Sequence, residues 1–174
     1  MSAESSVDTW TIVCTTAAQT QELGRALGAA AENDQCLALD GDLGIGKTEL
    51  VRGLAAGAGA SDDTLVSSPT YVLLNIYPAG SRAGAKTVFH LDAYRIADES
   101  GFDAVGWDDL FGQHAVIVVE WAQRVQSLLP HDTLFIVGDW LDANHRRWTL
   151  SAGGRLSKML LHAVKRVLTI RSLP

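Results

Sequence analysis

The chain has 174 residues, 47% of them hydrophobic and 20% charged, a composition that folds rather than stays disordered. Its longest clean apolar run, Ala115–Val119, falls far short of the roughly 20 residues that a membrane-spanning helix needs, and the Ser-rich, acidic start lacks the basic lead and apolar core of a secretory signal. The net charge of −6 hides a split, −13 over residues 1–145 and +7 over residues 146–174, so the body is a poor general binder of nucleic acid, while the basic end either packs on its own acidic body or meets RNA or an acidic partner.

Trp10, Ile12 and Cys14 alternate with Thr11, Val13 and Thr15, which is the period of a strand. Leu23, Ala26, Leu27 and Ala30 recur at helical spacing and predict a helix over Gln19–Ala31. Cys36–Asp40 (CLALD) reads as a short buried strand that runs into Gly41, and a helix follows from Lys47 to about Ala56, ended by Gly57, Gly59 and Ser61. Val72–Tyr77 and Thr87–Asp92 are strand-like runs around the breaker-rich stretch Pro78–Gly84, which predicts a β-hairpin with a long loop. Asp98–Leu110 mixes acids with Phe102, Val105, Trp107 and Leu110 and predicts a short surface helix. Ala115–Val119 is a buried strand, Thr133–Val137 and Arg147–Leu150 are further strands, and Leu156, Leu160, Ala163, Val164, Val167 and Leu168 mark a final helix. Cys14 and Cys36 each sit in an apolar stretch and read as reduced core residues.

Strands and helices that alternate around a hairpin predict an α/β protein with a mixed, partly parallel sheet and a β-hairpin. Residues 1–152 are expected to form one domain whose first eight or so residues are flexible. Residues 153–174 are a basic helical tail, either part of that domain or an appendage.

The strongest chemical signal is Gly41-Asp-Leu-Gly-Ile-Gly46-Lys47-Thr48, a complete G-x-x-x-x-G-K-[ST] pattern placed between a buried strand and a helix. Gly41, Gly44 and Gly46 permit backbone angles that let consecutive N–H groups, those of Ile45 and Glu49 included, point at a phosphate. The helix start adds its partial positive charge. Lys47 brings a point charge to the outer phosphates, and the Thr48 hydroxyl can hold Mg²⁺. Glu49 stands where many such loops carry a second hydroxyl, so its carboxylate must turn away.

Two acids end other strands. Glu120 follows AVIVV, the place where Mg²⁺ gains a second protein contact. Asp92 ends the run before Ala93-Tyr94-Arg95, where it either positions water or metal near the terminal phosphate or caps the next turn. Trp121 is a core aromatic or an exposed gate, and Ser68-Pro69-Thr70 is a switch-like loop or an ordinary turn. The five histidines and two cysteines lack zinc-ligand spacing. No N-K-x-D segment occurs, which argues for ATP over GTP, so the expected fold is P-loop NTPase-like and three-layered, with residues 1–152 as its ATPase domain.

GDLGIGKT, VRG at Val51–Gly53, SPTY at Ser68–Tyr71, HLDAYR at His90–Arg95 and VEW at Val119–Trp121 stand in an order that resembles the TsaE (YjeE) family over about residues 18–150. The resemblance implies a cytoplasmic protein that binds ATP and Mg²⁺ and works with TsaD and TsaB, which attach threonylcarbamoyl to tRNA. It casts Lys47, Asp92 and Glu120 as catalytic, Thr48 and Glu120 as the metal contacts, and Arg146 as a nucleotide-contacting arginine with Arg147 as its off-by-one rival. Ile45 replaces the family's usual alanine, Glu49 a common threonine, and the stretch Cys14–Leu23 does not identify an adenine reader. Two rival readings use the same loop: a small-molecule kinase with Asp92 as base, and a nucleotide-gated binding module that rarely turns over.

Overall fold

The structure, a computed structural model, describes residues 8–61, 66–69, 72–96, 101 and 106–171. Seven strands form one mixed sheet: β1 (Thr9–Cys14), β2 (Cys36–Gly41), β3 (Leu74–Tyr77), β4 (Thr87–Asp92), β5 (Ala115–Glu120), β6 (Thr133–Trp140) and β7 (Arg146–Ala152). Their spatial order is β1-β7-β6-β2-β5-β4-β3. The inner strands β6, β2, β5 and β4 run parallel, while β3 pairs antiparallel on one edge and β7 and then β1 pair antiparallel on the other. β3 and β4 are the expected hairpin. The α/β class and the mixed, partly parallel sheet expected from the sequence are therefore what the chain adopts.

Helices α1 (Ala17–Ala30), α2 (Lys47–Ala58) and α3 (Arg155–Arg171) cover one face. There Leu23, Leu27, Leu50, Leu54, Leu161 and Val164 meet the inward side chains of the sheet, among them Leu37, Leu39, Val118 and Ile136. The opposite face carries a smaller core, in which Ala38, Ile117, Val119 and Leu91 pack under the 3₁₀ segments Trp107–Leu110 and Ala122–Leu128. Every residue of β5 is buried, as expected of a central strand covered on both sides.

Several boundaries moved for local reasons. α1 begins at Ala17 rather than Gln19 because the Thr16 hydroxyl accepts a hydrogen bond from the Gln19 amide (3.2 Å) and so caps the helix. α2 runs through Gly57 and stops only at Gly59, whose φ of 78° closes the helix. Gly57 instead serves packing. A Cβ on it would lie 2.2 Å from the Arg25 carbonyl oxygen, and one on Gly53 would lie 2.0 Å from that of Gln21. Of the predicted surface helix Asp98–Leu110, residues 98–100 and 102–105 lie outside the described residues, and Trp107–Leu110 is a 3₁₀ turn with Trp107 and Leu110 buried.

The basic end docks through apolar contacts. Leu160, Leu161, Val164 and Leu168 of α3 are buried, and Asp132 holds its first turn by accepting from the amides of Leu156 and Ser157, both at 2.8 Å. Residues 1–7 are outside the described residues; the Asp8 carbonyl accepts from the Ala152 amide (2.9 Å). Both cysteines are buried thiols, and burial pushes Cys36 up to about 12.

Candidate functional site

The parallel strands β2, β5 and β4 lie side by side and end on the same edge of the sheet, the edge where open α/β sheets bind ligands. β2 ends at Gly41, β5 at Glu120 and β4 at Asp92, with Asp92 and Glu120 directly paired in the strand register. The phosphate loop leaves β2 here and turns into α2. Its glycines have the backbone that the motif requires, with φ of 131° at Gly41, 81° at Gly44 and 112° at Gly46. Ile45 is fully buried, and it fits because the neighbouring strand carries Gly138: a Cβ there would lie 2.9 Å from Ile45 Cγ1 and 2.7 Å from Trp148 Cζ3. Sequence reading saw Ile45 as a departure and did not see Gly138, which lies on β6.

Lys47 is 5% exposed. Its ammonium donates to the carbonyls of Gly41 (2.6 Å) and Asp42 (3.1 Å) and lies 4.0 Å from the Trp121 ring centroid. Burial lowers its pKa, and the nearby Glu120, Asp92, Asp40 and Asp42 work against that shift. Thr48 follows at the first turn of α2 and shares a cavity of about 250 Å³ with Gly44, Gly46, Lys47, Glu120 and Trp121. Glu49 also reaches this cavity, but its carboxylate is engaged: Gln21 Nε2 donates to it at 2.6 Å and Arg52 pairs with it one turn along. These bonds, Gln21's first, hold its pKa below the ordinary value. Arg52 also donates to the Val66 carbonyl (3.1 Å), which ties α2 to the segment 66–69.

Both acids are buried, Asp92 to 1% and Glu120 to 2% exposure. Asp92 Oδ1 accepts from the Tyr94 amide (2.8 Å), so it does cap the turn Ala93–Arg95, and its Oδ2 lies 3.4 Å from the Ser68 hydroxyl. Glu120 Oε1 is 2.9 Å from His90 Nε2, and the other ring nitrogen of His90 is 3.3 Å from the Tyr77 hydroxyl. Tyr77 in turn donates to the Ser67 carbonyl (3.3 Å), which also accepts from Asn75 (3.1 Å). An ionised Glu120 requires His90 to donate from Nε2. Metal-ligand spacing among the histidines does not single out His90. The available signal was its place two residues before Asp92 on the same strand face. Thr70 and Tyr71 of the SPTY segment lie outside the described residues.

β7 separates the two arginines. Arg146 projects to the face that carries the buried Trp148, and a Cβ on Gly46 would lie 3.9 Å from both Arg146 Nε and Trp148 Cζ2. The Arg146 guanidinium stands 4.5 Å from the Trp140 ring centroid. Arg147 points the other way and pairs with Asp139 (3.2 Å). Of the two, only Arg146 neighbours the phosphate loop. Trp121 is half-buried, has φ of 57°, and lines the cavity with its ring 5.1 Å from that of Tyr94.

The donor set suits magnesium better than a caged metal. Among the described residues no three His, Cys, Asp or Glu side chains cluster as a metal group. Magnesium asks for less, one or two protein oxygens with phosphate and water completing the octahedron, and Thr48 with Glu120 can supply them. The positive-φ glycines and the start of α2 form a cradle in which a phosphate would meet amides rather than side chains.

The family model described as "Threonylcarbamoyl adenosine biosynthesis protein TsaE" matches residues 14–148. The tRNA threonylcarbamoyladenosine biosynthesis protein TsaE of Bacillus subtilis is 33% identical over 148 residues, covering 85% of this chain and 89% of that one. The protein of the same name from Treponema pallidum is 36% identical over 124 residues, 71% of this chain and 87% of that one. Among solved structures, that of Bacillus subtilis YdiB superposes with a TM-score of 0.75 at 27% identity, covering 92% of this chain and 97% of the other.

Proposed function

The chain belongs to the TsaE family of threonylcarbamoyladenosine biosynthesis, and from that premise we propose that it is the accessory ATPase of the pathway, binding and hydrolysing ATP with Mg²⁺ in complex with TsaD and TsaB in the cytoplasm. One observation carries the reading: two buried carboxylates, Asp92 and Glu120, end adjacent parallel strands beside a phosphate loop whose lysine is itself buried. In this reading the loop amides and Lys47 hold the triphosphate, Arg146 approaches it from β7, and Thr48 and Glu120 hold the metal. Bound magnesium would neutralise charge on the phosphoryl group being transferred. Asp92 orients the attacking water. The tRNA is met through the complex.

The position of Lys47 supports slow turnover by the chain alone. Its ammonium is satisfied by two carbonyls of its own loop and covered by Trp121, so nucleotide must displace contacts already made. A partner that moves Trp121 or the loop would remove that cost. The kinase reading, by contrast, needs an acceptor lid, and the breaker-rich insert Pro78–Gly84 is too short to be one.

The test is phosphate release by the chain alone, then with TsaB and TsaD, then with tRNA added. Release should be slow alone and rise with the partners, and Lys47→Ala should remove it. Fast, partner-independent transfer to a small acceptor would instead establish the kinase. Tight ATP binding with no release under any condition would establish the binding module.

A further inference from the structure

α3 carries two apolar stripes, and the core uses only one of them. Leu160, Leu161, Val164 and Leu168 are buried against the body. Leu156, Met159, Val167 and Ile170 are 42%, 52%, 37% and 63% exposed. With Ala163 between them they follow helical spacing along a different side of the helix. This second stripe borders α1. Leu156, Met159 and Ala163 line a hollow of about 120 Å³ with Ala30. Ala163 and Val167 line a larger one of about 490 Å³ with Ala26, Ala29 and the same Ala30. The shared Ala30 and Ala163 join the two hollows into one furrow floored by small side chains.

The furrow is electrically polar. Its wide end is rimmed by Arg25, Arg82 and Arg166. Arg25 lies 3.5 Å from Glu22 and Arg82 donates to the Gly57 carbonyl (3.2 Å). Arg166 makes no ion pair or hydrogen bond with any described residue. The narrow end holds Glu32 and Gln35. From Leu156 to Ile170 the stripe extends about 21 Å along the helix, at 1.5 Å per residue, the length of about four helical turns.

We propose that the furrow between α1 and α3 docks an amphipathic helix of a partner protein, its apolar face on the stripe and its carboxylates at the end ringed by Arg25, Arg82 and Arg166. Helix-in-groove recognition reads apolar anchors at three- and four-residue spacing, which is the spacing offered here. The arginines select for acid at one end and so fix direction. RNA would use the arginines and leave the exposed leucine, methionine and isoleucine unexplained. A second copy laid α3 against α3 would bring together two helices that each lack any acid. The proposal is independent of the nucleotide site.

The probes are three fluorescein-labelled 16-residue helical peptides titrated against the full chain by anisotropy. One carries leucines at the matching spacing with glutamates at one end, one has those glutamates replaced by lysines, and one is a scramble of the first. The acidic peptide should bind about tenfold or more tighter than the other two. Met159→Glu and Arg166→Glu should each weaken it by about the same factor while nucleotide binding stays unchanged. Both side chains are exposed, and circular dichroism checks the fold; if one variant unfolds, the other carries the test. Equal binding of the three peptides, no binding at all, or indifference to both substitutions would overturn the proposal. So would sedimentation showing a dimer that Met159→Glu dissociates, or an RNA oligonucleotide that competes the acidic peptide off through Arg166.

Discussion

Glu120 already has a partner within the protein: one carboxylate oxygen lies 2.9 Å from His90 Nε2, and both side chains are almost wholly buried. Removing the carboxylate therefore does two things, and substitutions can separate them. Glu120→Ala leaves His90 without its acceptor and should cost about 1–3 kcal/mol of folding stability, as for any buried polar group left unpaired. Glu120→Gln keeps an acceptor for His90 but loses the charge. It should fold within about 1 kcal/mol of the parent while Mg²⁺-dependent phosphate release falls, measured by urea titration and a phosphate assay on the same samples. Tyr77→Phe tests the far end of the chain. It removes the hydroxyl between His90 and the Ser67 carbonyl and should destabilise by about 1–2 kcal/mol in urea, with a loss of protection at the segment that carries Ser67.

Between elements, α1 and α2 pack so closely that glycines are needed on both helices. A Cβ on Gly24 would lie 2.1 Å from the Leu50 carbonyl oxygen, and one on Gly28 would lie 1.9 Å from that of Leu54. Both obstacles are backbone, which cannot swing aside. Gly53→Ala should cost about 2 kcal/mol or more in urea unfolding despite alanine's better helix propensity, and because α2 begins at the phosphate loop it should weaken ATP binding too. The first turn of α3 is held by an acid outside the helix, Asp132. Burial acts to raise the Asp132 pKa, but the Ser157 hydroxyl and the amides of Ser157 and Leu156 outweigh it, so the carboxyl sits below its ordinary value. A carboxylate depressed in the folded state stabilises fully above the unfolded pKa of about 3.9 and loses that contribution as pH falls through the lower folded value. Asp132→Ala should thus cost about 1 kcal/mol at pH 7, and the gap between variant and parent should close toward pH 3 in parallel urea titrations.

Across the molecule, strand order brings Gly41, Asp92 and Glu120 to one edge of the sheet, so a ligand there binds the folded chain and not the unfolded one. Magnesium ATP should raise the melting temperature with concentration, by mass action worth about 2.7 kcal/mol at a hundredfold excess over Kd. Lys47→Ala should abolish the shift, and a shift that survives the substitution would remove Lys47 from the site. Much of this was legible along the chain. The phosphate loop is a local pattern, its glycines set by the φ angles that successive residues must take, and apolar runs ending in acids marked β4 and β5. What the linear order could not give was who meets whom across the sheet. Glu120 finds His90 only because β5 lies beside β4, and Ile45 is accommodated only because Gly138 of β6 faces it. Arg146 rather than Arg147 neighbours the phosphate loop because of the pleat of β7, which sends neighbouring side chains to opposite faces. Gly57 reads as a helix stop in isolation, yet it continues α2 because α1 presses against it. Backbone preference is written residue by residue, whereas such contacts exist only once hydrophobic burial has fixed the strand order and the faces.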